Sequence, residues 1–320
     1  MNPFFNSTNS ALSQITKLYD FVWPTASAMW NFRWQIKGFI TEVGEENLTE
    51  QDLLNRFDFG SRIHGVNLKK AFIEHSWENQ QEEFAKFLLV YLFSIYESWI
   101  SEIQQAFGIN NNVAKSLQFS TQYDNNHNPI RGVFWGINQL NNNQSIIMHD
   151  AFYNTLTGYR KYSRTHLDNL LLCYRFFKES RNAISHNGGI ADQKLIDAHQ
   201  AFTQIAKPTD LGIKEVPLHC VPVLGRPILL NLRGVVGLSD VIIRIISTLD
   251  AELSDTSFAE NEFFFRCQEW ANLHPTDKRI RDINKPQGDR VRSIVNICSF
   301  PRAQNVAGIQ REFIARGIIR

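Results

Sequence analysis

Apolar positions between Phe84 and Phe107 recur at helical spacing and then spread around the whole helix. Phe84, Phe87, Leu88, Tyr91, Ile95, Trp99 and Ile103 form one stripe, and Leu89, Leu92, Phe93 and Tyr96 cover the other side. A helix apolar nearly all round belongs at the centre of a bundle. Glu97 interrupts it, and a carboxylate in such surroundings needs a partner. A second apolar segment, from about Leu167 to Phe177, runs into Arg181-Asn182-Ala183-Ile184-Ser185-His186-Asn187-Gly188-Gly189. It reads as a buried helix closed by the two glycines, which enter the left-handed region without steric cost. A third, Leu238-Ser239-Asp240-Val241-Ile242-Ile243-Arg244-Ile245-Ile246, predicts a capped apolar helix ending near Ala251.

The remaining pattern is weaker. Residues 1 to about 80 read as helical but irregular, broken at Pro24, with Thr49 capping a short helix. Phe4, Phe5, Tyr19, Phe21, Trp23, Trp30, Phe32 and Trp34 come with few basic neighbours, so core or interface packing explains them better than a nucleic-acid surface. Ile109 to Gln144 is rich in Asn, Gln and Gly and predicts loops around a short helix. A helix follows from His149 to Tyr159, then a basic, aromatic loop from Tyr159 to His166. Ala191 to Ile205 is a modest helix. Val216 to Leu232 alternates about a turn at Gly225-Arg226, and Pro217, Pro222 and Pro227 demote it to a short edge hairpin. Ser254 to Glu260 reads as a linker, and Asp289 to Ile297 with Ala303 to Ile318 as a helix-turn-helix-like pair. The expected fold is mainly α: an N-terminal helical extension (1–80), a helical bundle (81–253) carrying the edge β-hairpin, and a basic helical C-terminal segment (254–320).

Composition changes this picture in two places. The 320 residues carry a net charge of +1, but residues 266–320 hold 11 Lys/Arg against 5 Asp/Glu, while the rest of the chain is net −5. A basic tail on a mildly acidic body suits a polyanion or an acidic partner; a solvated helical face is the plain alternative. The four cysteines, Cys173, Cys220, Cys267 and Cys298, are far apart and form no C-x-x-C, which argues against a zinc site or disulfide framework and fits a reducing cytoplasm. The longest apolar run, Phe87 to Phe93, is far short of the roughly 20 residues that span a bilayer. With no basic-then-apolar leader, a soluble, cytoplasmic chain is expected. Phosphate-binding and dinucleotide glycine motifs, H-E-x-x-H and G-x-S-x-G are absent, so no cofactor or metal is expected.

Candidate chemistry gathers at the end of the second apolar helix. Arg181 and His186 are five apart, roughly 140° around a helix of about 3.6 residues per turn. They converge only because the arginine is long and the helix is ending. Asn182 and His186, four apart, share a face. Arg181 is the obvious partner for Glu97. Cleavage of RNA requires no bound metal in principle, because the ribose 2′-hydroxyl is an internal nucleophile beside the phosphate. An imidazole moves protons near neutrality, and a guanidinium stabilises phosphate charge. Asn182 could orient the imidazole or hold a phosphate oxygen. Arg160, Lys161, Arg164 and Asn187 are candidate RNA contacts, although the first three lie a whole helix away from His186.

The string FFKESRNAISHNGG, with Arg-Asn-x-x-x-His at the end of a long apolar helix, resembles the signature of HEPN domains, and in particular plasmid- and phage-defence-associated members. The likeness covers about Phe84 to Leu253. It implies a HEPN-like helical bundle and a metal-independent endoribonuclease of a defence or toxin–antitoxin system. Arg181 and His186 would be catalytic, with Asn182 and Glu97 in support. It also implies a homodimer with a composite cleft, products ending in 2′,3′-cyclic phosphate and 5′-hydroxyl, and an antitoxin or regulatory partner. The alternative is a non-catalytic helical dimerisation or nucleic-acid-binding module, in which Arg181 pairs with Glu97 and His186 merely ends the helix. A third reading places transcriptional control in the basic tail.

Overall fold

The structure, a computed structural model, describes residues 2–58, 60, 65–141, 143–277 and 284–319. It is mainly helical with one small antiparallel sheet. Helix α1 (Asn6–Val43) precedes α2 (Glu50–Phe57), α3 (Trp77–Phe107) and α4 (Asn111–Ser116). Strands β1 (Gln122–Tyr123) and β2 (Pro129–Arg131) form a hairpin that leads into α5 (Val133–Asn141). A π-turn at His149–Tyr153 separates α6 (Ile146–Met148) from α7 (Asn154–Thr157). Then come α8 (Leu167–His186), α9 (Gln193–Thr203), α10 (Pro208–Leu211), α11 (Leu232–Ser254), α12 (Ser257–Leu273), α13 (Gln287–Ile297) and α14 (Ala307–Ala315). Lys278, Arg279, Arg281 and Arg320 of the basic tail lie outside the described residues.

Helices α3, α8 and α11 pack on one another, with α1 laid against α3 and α11. Ser76 caps α3, accepting the Asn79 N–H at 3.1 Å, and Gly108 closes it in the left-handed region. Between those ends α3 buries Leu89, Phe93, Tyr96 and Trp99 almost completely, but it is not enclosed all round as expected, because Phe87, Val90 and Tyr91 stay exposed on one side. Cys173 sits inside α8, where burial pushes its thiol pKa up and leaves it an inert core residue. One continuous buried cluster holds Phe4 and Phe5, the three central helices, Phe263 and Phe264 of α12, and Phe313 of α14. A second, smaller cluster around Ile36, Leu53 and Leu68 joins the far end of α1 to α2.

Several expectations are corrected. α1 runs unbroken through Pro24. Pro24 is exposed, while Ile15, Val22 and Ala26 bury the opposite side, and that packing carries the helix across the missing N–H. α11 starts at Leu232, capped by the Asn231 side chain on Gly234 N–H (3.2 Å), ahead of the expected segment from Leu238. The sheet is at residues 122–131 rather than 216–232. Residues 217–231 instead form a strap. Its partners are the loop after α8, through Ala191 N–H to Arg226 C=O (2.9 Å), Gly225 N–H to Ala191 C=O (2.9 Å) and Ile228 N–H to Gly189 C=O (2.8 Å). The supposed linker after Ser254 is a tight, buried joint, with Thr256 capping α12. Residues 298–306 separate α13 from α14, against about 3–4 residues in a helix-turn-helix.

The C-terminal half of α11 is buried at every position from Ile245 to Ser254, although it contains Asp250 and Glu252. Each carboxylate is met by a different part of the chain. Asp250 accepts the backbone N–H groups of Phe4 (2.8 Å) and Phe5 (3.1 Å). Glu252 pairs with Arg164 and accepts from the hydroxyls of Tyr153 (3.0 Å) and Tyr162 (2.7 Å). Just past the helix, Asp255 takes the Gln144 amide (2.7 Å) and His149 Nδ1 (3.1 Å).

Two measurements test this architecture. A Cβ on Gly234 would meet the Leu218 carbonyl oxygen of the strap at 1.8 Å, whereas one on Gly38, toward the C-terminal end of α1, meets nothing within 4 Å. Gly234→Ala should therefore cost about 1–3 kcal/mol in urea unfolding, and Gly38→Ala should gain about 0.5–1 kcal/mol. Burial raises the Asp250 pKa to about 6 against the opposing pull of its hydrogen bonds. The folded state then holds this proton up to a higher pH than the unfolded chain does. Its contribution to stability is complete below about pH 4 and lost as pH rises to about 6. The difference in unfolding free energy between wild type and Asp250→Asn should fall across that window by about 2–3 kcal/mol.

Candidate functional site

The long apolar face of α8 anchors the motif, and the helix stops as expected: Gly188 and Gly189 have φ of 61° and 78°. The N–H groups of Asn187 (2.9 Å) and Gly189 (3.0 Å) both bond to the Ala183 carbonyl. The packing of α8 on α3 brings Arg181 to Glu97. Arg181 Nη2 donates to Glu97 Oε1, and the guanidinium lies 5.4 Å from the centre of the Phe93 ring. Arg181 Nε is buried without a partner among the described residues. Lys178 Nζ is 3.7 Å from the same carboxylate and donates to Gln118 (2.7 Å). Burial lowers its pKa, with Glu97 pulling the other way. Tyr174 beneath them is buried, which holds its phenol pKa well above the usual range, and its hydroxyl has no partner among the described residues.

His186 is exposed, and its side chain makes no hydrogen bond, ion pair or ring contact among the described residues. No hydrogen bond, ion pair or ring contact joins it to Arg181. Asn182 turns toward the preceding turn, donating to Glu179 Oε2 (3.3 Å), instead of orienting the imidazole. Glu179 is buried and also takes Arg175 at 2.6 Å. Asn187 is exposed and its amide donates to Asp192 (3.2 Å).

The basic loop before α8 has other commitments. Lys161 pairs with Asp240 of α11, and Arg164 with the buried Glu252. Only Arg160 of the three is exposed and without a side-chain partner among the described residues. The candidate contacts thus separate into a free group (Arg160, His186, with Asn187 lightly tethered) and a set held within the fold (Lys161, Arg164, Asn182). The cations missed by sequence reasoning are Arg175 and Lys178. Their spacing of three before Arg181, in Arg175-Phe-Phe-Lys178-Glu-Ser-Arg181, was the available signal. Among the described residues, no three His, Cys, Asp or Glu side chains gather so as to hold a metal ion, and no helix is long and apolar enough to cross a membrane.

Comparisons with protein-family models, curated proteins and solved structures returned no match. The resemblance to HEPN domains is thus one of the Arg181–His186 motif and its helix-end setting alone.

The Glu97–Arg181 pair has a direct test. Replacing Glu97 by Gln leaves a partly buried guanidinium without its counter-charge, and unfolding stability should drop by about 1–3 kcal/mol. Glu97→Gln combined with Arg181→Met should recover part of that loss, because the unpaired charge is gone. A double variant less stable than the sum of the single ones would contradict the pairing.

Proposed function

We propose that this protein is a metal-independent endoribonuclease, acting as a homodimer. The observation that carries the reading is an exposed, unpartnered imidazole, His186, five residues beyond a guanidinium held in place by a carboxylate from a second helix. His186 takes the proton from a ribose 2′-hydroxyl. That oxygen attacks the adjacent phosphorus, and the 5′-oxygen leaves with a proton from a second imidazole, giving 2′,3′-cyclic phosphate and 5′-hydroxyl ends. Arg181 stabilises the charge on the phosphorane, as a fixed cation needs no reorganisation when the reaction occurs. One copy supplies one imidazole and one guanidinium; a second copy completes the acid–base pair.

An apolar stripe on α3 supports docking of that copy. Phe87 is 75% exposed, Val90 43% and Tyr91 44%, on the side of α3 that also carries Glu97. Arg160 and Asn187 remain as surface RNA contacts. The biological role, defence or toxin–antitoxin, and any antitoxin or regulatory partner rest on the resemblance.

A specific observation favours a second reading, a non-catalytic RNA-binding or dimerisation module: Arg181 is already engaged by Glu97, and nothing joins it to His186. The discriminating experiment incubates wild type, His186→Ala and Arg181→Ala with total RNA and tRNA in EDTA, then maps fragment ends. His186→Ala should lower cleavage by about 10²–10⁴-fold and Arg181→Ala by about 10²–10³-fold. Cleavage unaffected by both substitutions, or ends lacking a cyclic phosphate, contradicts the nuclease reading. Intact RNA with retained RNA binding supports the module.

A further inference from the structure

Alongside α8, between the hairpin and α4, lies a cleft of about 720 Å³ that no part of the cleavage reading uses. Its volume falls within the roughly 300–1,000 Å³ of small-molecule sites. Three cations line it, Lys115, Arg131 and Arg175, and no carboxylate does. The Lys115 and Arg131 side chains are exposed and have no hydrogen bond or ion pair among the described residues. Two rings, Phe119 and Trp135, share the lining. Phe119 is already covered by Arg175, 5.1 Å from its centre, and by Lys178 at 5.6 Å. Trp135 is half-buried and touches no other ring among the described residues, which leaves it free to stack.

The walls of the cleft are tied to the fold rather than hung on a loose loop. Asp168, in the first turn of α8, accepts Thr121 N–H at 2.6 Å and the Tyr123 hydroxyl at 3.2 Å. Gly132 has a φ of 87°, and a Cβ there would sit 2.2 Å from the Ser120 carbonyl oxygen, so β2 is clamped against the segment before β1. Arg131 pairs with Gln122 across the hairpin, which sets the reach of its guanidinium. The backbone that carries the cations is therefore fixed and Trp135 is half-buried in place, while the Lys115 and Arg131 side chains order when a ligand binds.

We propose that this cleft binds a nucleoside monophosphate unit, with the phosphate between Lys115 and Arg131 and the base stacked on Trp135. Unpaired cations select the phosphate, and guanidinium gives it paired hydrogen bonds. An indole face accepts any base. The unit can be a free nucleotide or one residue of a single strand; the chemistry is the same. Cleavage at His186 is not required for it.

The test is calorimetric titration of the full chain at low salt with adenosine 5′-monophosphate, adenosine, inorganic phosphate and a 2′-O-methyl hexanucleotide, which cannot be cleaved by 2′-hydroxyl attack. The monophosphate should bind at least about tenfold tighter than adenosine or phosphate alone, since losing either half forfeits a charged hydrogen bond or a stack. Lys115→Ala with Arg131→Ala should weaken it by about tenfold or more, and Trp135→Leu by about fivefold or more. Both cations are exposed, so the double variant should unfold at the wild-type midpoint. A hexanucleotide that binds tighter than the monophosphate with the same sensitivity assigns the site to a strand. A tighter monophosphate assigns it to a free nucleotide. No binding by any probe, binding of the monophosphate no tighter than phosphate, or wild-type affinity in the double variant overturns the proposal.

Discussion

Charged groups buried in a protein must be matched, and in this chain the requirement is concentrated on one helix. Asp250 and Glu252 lie in the most enclosed part of α11, 1% exposed each, and Asp255 follows at 5%. An unpaired carboxylate at such a depth is strongly unfavourable. Their partners come from the first residues of the chain, from the loop before α8 and from the segment leading into α6. The arrangement of α1, α6, α7 and α8 around α11 is the set of positions that satisfies all three at once. Arg244 extends it, bonding Asp240 (3.2 Å) and the Ser163 hydroxyl (3.0 Å), while Thr248 accepts Ser163 N–H at 2.9 Å. The basic loop before α8 is therefore a structural clasp first, and of its three cations Arg160 is the one without a side-chain partner among the described residues.

This clasp positions α8, and α8 positions the motif. Between Asp168 at its first turn and the Gly188–Gly189 stop, the helix carries its apolar side inward and Arg175, Lys178 and Arg181 along its edge. Two carboxylates, Glu97 and Glu179, serve these three cations. The edge is left with net positive charge and ends in a free imidazole. A row of cations with incomplete neutralisation attracts a polyanion, and the attraction weakens as salt screens it.

The central helices were legible because their periodicity is strong. The segments that become α3 and α8 show it plainly, and Glu97 stands out as a carboxylate one turn beyond Phe93 in an apolar run. The pairing with Arg181 follows from that contrast. Where reading failed, the reason is a contact remote in sequence. The start of α11 was hidden because Gly234 and Gly237 look like helix breakers, whereas they make room for Leu218 and Pro217 of the strap. Lys161 and Arg164 looked like phosphate contacts because Asp240 and Glu252 are far along the chain. The hairpin was placed at the alternating segment with three prolines, yet that segment's hydrogen bonds go to the loop after α8. The short strands that do pair carry no alternation to read. The cleft they form with α4 and α8 brings Lys115, Arg131 and Trp135 together from positions with no shared spacing.

The clamp of Asp250 on Phe4 and Phe5 also bears on the order in which the chain reaches its final shape. The two ends of this contact are 246 and 245 residues apart. During synthesis the first turns of α1 and the two phenylalanines leave the ribosome long before α11 exists, at the usual pace of about 5–20 residues per second. For that interval the aromatic segment has no carboxylate to dock on. Closure of so long a loop is also entropically unfavourable until the rest of the core can reward it. Seating of the N-terminal segment is thus expected among the last events of folding, and its exposed rings are the part of the nascent chain most in need of protection while they wait.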